Sequence, residues 1–164
     1  MTSVNVLPSL ATLQSLYSAI INDVSYSTNV TPFLNNPISD VSNVSASQNY
    51  TNLVTFMAAK KLQGASNEDI LVALDDGTVI YDSGSSKNTL ANYSAKSVNE
   101  NHNSRPEVMN ATLSASGVGY SRRYSSSAKA LRQYYAVRVG GSSQSNIATI
   151  RIALQEYDTT LSHF

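Results

Sequence analysis

The sequence has no cysteine, no tryptophan, few charges and no long apolar run. Without cysteine there are no disulfides, no thiolate nucleophile and no thiolate-bound metal. Without a stretch of about 18 apolar residues there is no candidate transmembrane helix. The N-terminus also lacks the basic, apolar and small-residue order of a signal peptide. A soluble protein with no membrane insertion is therefore expected. Charged residues make up 13%, with 11 Lys+Arg against 11 Asp+Glu, so net charge attracts neither nucleic acid nor an anionic lipid surface. Lys60-Lys61 and Arg122-Arg123 are too short to form a nucleic-acid patch.

Catalytic patterns are missing as well. There is no G-x-S-x-G, P-loop, H-E-x-x-H or EF-hand sequence. The two histidines are His102 and the penultimate His163. The carboxylates Asp75, Asp76, Asp82 and Glu107 leave a carboxylate-only enzyme open, but nothing in the spacing fixes two of them at a catalytic separation. A binding or interaction module is expected over an enzyme, with no cofactor and no metal. Five Asn-x-Ser/Thr sequons begin at Asn29, Asn43, Asn49, Asn92 and Asn110; a chain this rich in Ser and Asn produces them by chance.

What remains reads as one domain over 1–164, large enough for a real core. From Ser9 to Val24, Leu10, Leu13, Leu16, Tyr17, Ile20, Ile21 and Val24 recur at helical spacing. This stripe packs on the domain's own sheet or on a second copy of the chain. Ser25 to Gln48 holds Pro32 and Pro37 without periodicity and reads as a long loop. A second helix runs from Tyr50 to Leu62 and stops at Gly64, so the N-terminal helices span about 9–62.

The sheet region spans about 69–154. It opens with a hairpin: Ile70 to Leu74, an Asp75-Asp76-Gly77 turn, then Thr78 to Tyr81. A polar stretch follows from Asp82 to Ser104. Ser104-Arg105-Pro106-Glu107 then starts a short helix to about Ala115, with either Ser104 or Arg105 as its cap. Strands are expected at Tyr120 to Ser126, Leu131 to Val139 and Ile147 to Leu154, the last two joined at Gly140-Gly141-Ser142-Ser143, with a final short helix from Gln155. The class is α+β. In the last strand Ala148, Ile150, Ile152 and Leu154 form the face for the helices. The more polar opposite face is where a pocket sits, beneath the segment from Asp82 to Ala115.

Five fragments now fall into register: Asp76-Gly77 with Val79 and Asp82-Ser83; Asn101-His102 with Arg105-Pro106-Glu107; Gly117, Gly119, Arg123 and Ser125; Tyr134 with Ala136; and Arg151-Ile152-Ala153-Leu154. In order and spacing they resemble the extracytoplasmic PAS-like (Cache) sensor domains of phosphate-sensor-type bacterial histidine kinases. The resemblance implies a five-stranded antiparallel sheet with two N-terminal helices on one face and a short helix on the other. It also implies a domain that lies between two membrane helices in the family and dimerises through its first helix. A homodimer through Leu10, Leu13, Tyr17, Ile20 and Val24 is the corresponding expectation here.

The ligand candidates are Arg105, Arg123, Ser125, His102 and Tyr81. Arg105 stands at a helix start, where a cation is unfavourable and calls for a specific partner, a carboxylate within the fold or an anion. Arg123 and Ser125 share a strand face. Arg123 either clamps a small carboxylate or phosphate ligand or pairs internally with Glu107 or Asp82. Tyr120, Tyr124, Tyr134 and Tyr135 are either cross-strand packing or pocket walls. With neither anchor nor kinase in the sequence, the first expectation is a stand-alone interaction or structural module, including a virion-associated one. A small-anion sensor is the alternative.

Overall fold

A computed structural model describes residues 5–6, 10–37, 40–64, 67–140 and 146–158. The helical layer begins with α1 (Leu10–Ile21), α2 (Tyr26–Asn29), α3 (Thr31–Asn35) and α4 (Val44–Gln63). Helix α1 buries Leu13 and Ile20. It stops short of Val24 because the Asp23 carboxylate accepts the Ser25 backbone N–H at 2.8 Å and its hydroxyl at 2.7 Å, turning the chain into α2. The expected loop over 25–48 is therefore largely helical. Four- and five-residue helices have too few turns to print a period in the sequence, yet Tyr26, Val30, Phe33 and Leu34 are all buried. Helix α4 starts well before Tyr50 because the Asn43 side chain caps it, accepting from the Ala46 N–H at 2.9 Å.

The sheet comprises β2 (Glu68–Leu74), β3 (Val79–Asp82), β4 (Val118–Ser125), β5 (Ala130–Gly140) and β6 (Asn146–Gln155). All neighbours are antiparallel, in the order β3-β2-β6-β5-β4. Gly77 makes the first hairpin at φ +84°, a conformation that favours glycine. Two helices interrupt the strands: α5 (Leu90–Ser94), capped by Thr89, and α6 (Pro106–Leu113), whose cap residue is Arg105. Helix α5 lies in what reads as polar loop; its buried Leu90 and Tyr93 are its only apolar anchors of any size. Gln155 ends β6 and begins no helix. Beyond it β7 (Tyr157–Asp158) pairs with β1 (Asn5–Val6). The expected turn over 141–143, Ser9 at the start of the expected first helix, and His163 lie outside the described residues.

Alternation gives the sheet two faces. Helix α1 contacts β5 and β6, and α4 contacts β2. Ile70, Val72, Tyr135, Val137, Ile150 and Ile152 join Leu13, Ile20, Leu53 and Met57 in one buried apolar cluster on that side. Helix α6 lies over β4 and β5 on the other side. It sits so close that a Cβ on Gly119 would stand 1.9 Å from the Glu107 carbonyl oxygen. Among the described residues, no helix is long and apolar enough to cross a membrane.

Candidate functional site

Registers place Asp69, Asp82, Arg123, Arg132, Tyr134 and Arg151 on the α6 face. Above them the segment 83–105 arches away from the sheet, enclosing a hollow of about 1140 Å³. The arch is tied at both ends. Asp82 accepts the Gly84 N–H at 2.9 Å and, on its other oxygen, the Asn99 side-chain amide. Asn88 bonds both backbone groups of Asp82, Ser85 donates to the Val98 carbonyl at 3.0 Å, and the His102 N–H reaches the Gly77 carbonyl at 3.1 Å. These are turn-forming side-chain bonds of Asn, Asp and Ser, which is why so polar a stretch holds a fixed path.

Three guanidinium groups surround the Tyr134 ring on the floor, at 3.9 Å for Arg123, 5.2 Å for Arg151 and 5.8 Å for Arg132. All lie within cation–π range. Two have carboxylate partners. Arg132 reaches Asp69 at 2.6 Å. Arg123 grips Glu107, its Nη2 at 2.7 and 3.3 Å from the two carboxylate oxygens and its Nε at 3.2 Å. Arg151 is different. It is 5% exposed, its Nε is buried without a partner, and it makes no hydrogen bond or ion pair among the described residues. Burial lowers its pKa, opposed by the fields of Glu107 and Asp82. A guanidinium nonetheless keeps its proton, so a charged group sits unpaired at the base of the hollow.

His102 completes the site. It is buried with Nδ1 unpartnered. Burial, then the charges of Arg151, Arg105 and Arg123, push its pKa down to about 3, so the ring is neutral at physiological pH. The lining cations are Lys87, Lys96, Arg105, Arg123, Arg132 and Arg151. Against them stand Asp69, Asp82 and Glu100 on the wall and Glu107 behind Arg123. The hollow thus holds a surplus of two positive charges in a chain whose formal net charge is zero. Among the described residues, no three His, Asp or Glu side chains come together as a metal site.

The structure brings four of the five expected ligand residues to this hollow: Arg105, Arg123, Ser125 and His102. Tyr81 is a correction. It pairs with Val72, which in turn pairs with Ile150, so it points into the helical core, and it is Asp82 that faces the hollow. Arg105 finds its partner within the fold, in Glu100, and Ser125 closes the β4–β5 turn by accepting the Ala128 N–H at 3.2 Å. The four tyrosines are likewise dispersed: Tyr134 is on the hollow's floor, Tyr135 on the core face, and Tyr120 and Tyr124 are exposed. The α1 stripe divides too. Leu13 and Ile20 are buried at home and Tyr17 packs edge-on against Tyr135 at 6.1 Å, while Leu10 and Val24 remain exposed. The expected seam for a second copy has lost its central residues to the protomer's own core.

Sequence reasoning missed Arg132, left Tyr134 open between cross-strand packing and pocket wall, and gave Arg151 no site role beyond its place in a family fragment. Arg151 reads as an ordinary outward residue of an alternating strand. The available signal was the strand's position: β6 runs down the middle of the sheet, where an arginine under a second layer cannot reach solvent easily.

No family model matches the chain, and no curated protein matches it in sequence. In structure it is similar to an extracellular ligand binding receptor from Desulfohalobium retbaense DSM5692, at 12% identity and a TM-score of 0.47 over 88% of this chain. The match covers 24% of that receptor, so the chain spans about a quarter of its length.

Proposed function

We propose that this chain is a PAS-like sensor-type domain that binds a small anion, a carboxylate or phosphate compound, in the hollow beneath the segment 83–105, and that it binds without catalysing. Two longer N-terminal helices on one sheet face and the short α6 on the other support the PAS-like reading. The observation that carries the binding reading is the unpaired Arg151. An unsatisfied buried polar group costs about 1–3 kcal/mol, and a charged one more. An anion in the hollow supplies the missing partner. The α1 stripe, on which the homodimer expectation drew, has Leu13 and Ile20 buried within the protomer.

Thermal unfolding in acetate, succinate, phosphate or sulfate, against chloride at matched ionic strength, tests this. At least one anion raises the wild-type melting temperature, because binding to the folded state alone stabilises it by about 2.7 kcal/mol at a hundred times Kd. Arg151→Met melts higher than the wild type without anion, since it removes the buried charge, and it no longer responds to anion. A wild type indifferent to every anion, or an Arg151→Met protein that responds fully, ends the proposal.

A further inference from the structure

We infer that the ligand is a polyhydroxylated anion, a sugar-like polyol carrying one carboxylate or phosphate group. This rests on the anion-binding reading and specifies what else the ligand carries. The hollow, at about 1140 Å³, is far larger than one inorganic anion needs and lies just above the range of about 300–1,000 Å³ that takes whole organic ligands. Such sites are ordinarily lined by apolar and aromatic side chains. This one is not. Its arch contributes Ser85, Ser86, Ser97 and Asn99, and the facing β4–β5 turn contributes Ser126 and Ser127. Each serine hydroxyl donates one hydrogen bond and accepts two, so those already bonded within the arch still accept from a ligand. Ser86 and Ser126 are exposed at the mouth.

The carboxylates count against the obvious rival, a zwitterion that offers an ammonium as well as an acid. Asp69 is paired with Arg132, Glu100 with Arg105 and Glu107 with Arg123. Asp82 alone has no cationic partner, and each of its oxygens already accepts from a neutral donor, Gly84 or Asn99. The groups still open are the Arg151 guanidinium at the base, the exposed Lys87 and Lys96 ammonium groups, and neutral hydroxyls and amides along the walls, which match an anionic end and a run of hydroxyls. A hydroxylated chain also tolerates the wet walls of so open a site, where an alkyl chain gains nothing by burial.

Isothermal titration with two matched pairs tests the inference: gluconate against hexanoate, and glucose 6-phosphate against hexyl phosphate. Within each pair charge and carbon number are equal and the hydroxyls differ. In at least one pair the hydroxylated member binds tenfold or more tighter, and the pair that shows this separates a sugar acid from a sugar phosphate. A Ser86→Ala/Ser126→Ala double variant, with an unchanged melting temperature, weakens that member severalfold and leaves its alkyl congener alone. Arg151→Met loses both. If the alkyl congeners bind equally or better, the hydroxyl inference falls and anion binding stands. If none of the four binds, and the simple anions leave the melting temperature unmoved, both fall. Uncharged glucose binding as tightly as gluconate also overturns both, because the anionic group would then contribute nothing.

Discussion

Ile150 and Arg151 are consecutive in β6, are 0% and 5% exposed, and face opposite sides of the sheet. Around Ile150 everything is complementary. It belongs to the apolar cluster of α1, α4 and the strands, and further along the same layer aromatic pairs such as Phe33–Tyr50 meet edge-on at 5.3 Å. Around Arg151 the neighbours are two more guanidinium groups, a phenol and a neutral imidazole, while the carboxylates whose fields reach it, Glu107 and Asp82, are bonded elsewhere. Depth alone therefore does not say what a buried position contributes. One face holds the fold together. The other is held in place by the first and spends part of that stability on an unpaired charge, as sites shaped for a ligand commonly do.

The largest test of this contrast puts a charge on the apolar side. Ile150→Asp places a carboxylate amid the helical core with no cation to meet it, and destabilisation beyond about 4 kcal/mol is expected. Far-ultraviolet circular dichroism and urea unfolding would show a chain that is unfolded or nearly so. A folded, soluble Ile150→Asp protein would mean that the two faces are wrongly assigned.

On the polar side the comparable lesion is Glu107→Gln. Glu107 is fully buried, receives the fork of Arg123 and lends its field to Arg151. Neutralising it leaves Arg123 without its carboxylate and adds to the positive surplus. Breaking such a pair from one side costs about 3–5 kcal/mol. Urea unfolding measures the loss, and a saturating anion should restore part of it, since the hollow then lacks a negative charge. A loss under about 1 kcal/mol would mean that the pair behaves like an exposed one.

The two faces were not equally legible in the sequence. Alternation of Ala148, Ile150, Ile152 and Leu154 marks the core side directly, and Asp76-Gly77 marks the first hairpin, because apolar period and turn chemistry are local properties. The polar side depends on pairing across strands. The sequence offers Glu107 or Asp82 as an internal partner of Arg123, and the choice of Glu107 follows only once α6 is laid on Gly119; that Arg151 meets no carboxylate follows only once Asp69 and Glu107 have been claimed by others. Tyr81 went to the wrong face for the same reason. The bulge between Val72 and Ala73 shifts the register of β2 on β3, and a one-residue shift exchanges the faces. Helices α2, α3 and α5 are invisible to periodicity because each is about one turn long.

His102 gives the smallest expected effect and the sharpest reading of the polar face, because its ring senses the cationic surplus. Its folded-state pKa is about 3 against an ordinary value of 6.5, lowered first by burial and then by Arg151, Arg105 and Arg123. The charges that act on it are thus cationic, and the carboxylates Glu100 and Glu107 are engaged with Arg105 and Arg123. Since the folded value is depressed, the unfolded chain binds the proton more tightly. The contribution of neutral His102 to stability is complete above the unfolded pKa of 6.5 and is lost as pH falls towards the folded value of about 3. From pH 6.5 to about 5.5 this amounts to about 1 kcal/mol. Urea unfolding at a series of pH values should therefore show a fall over that interval in the wild type that is absent in His102→Gln. If the wild type and His102→Gln have the same slope between those pH values, His102 is not buried beside the unpaired Arg151, and the polar face is closer to solvent than the contrast with Ile150 requires.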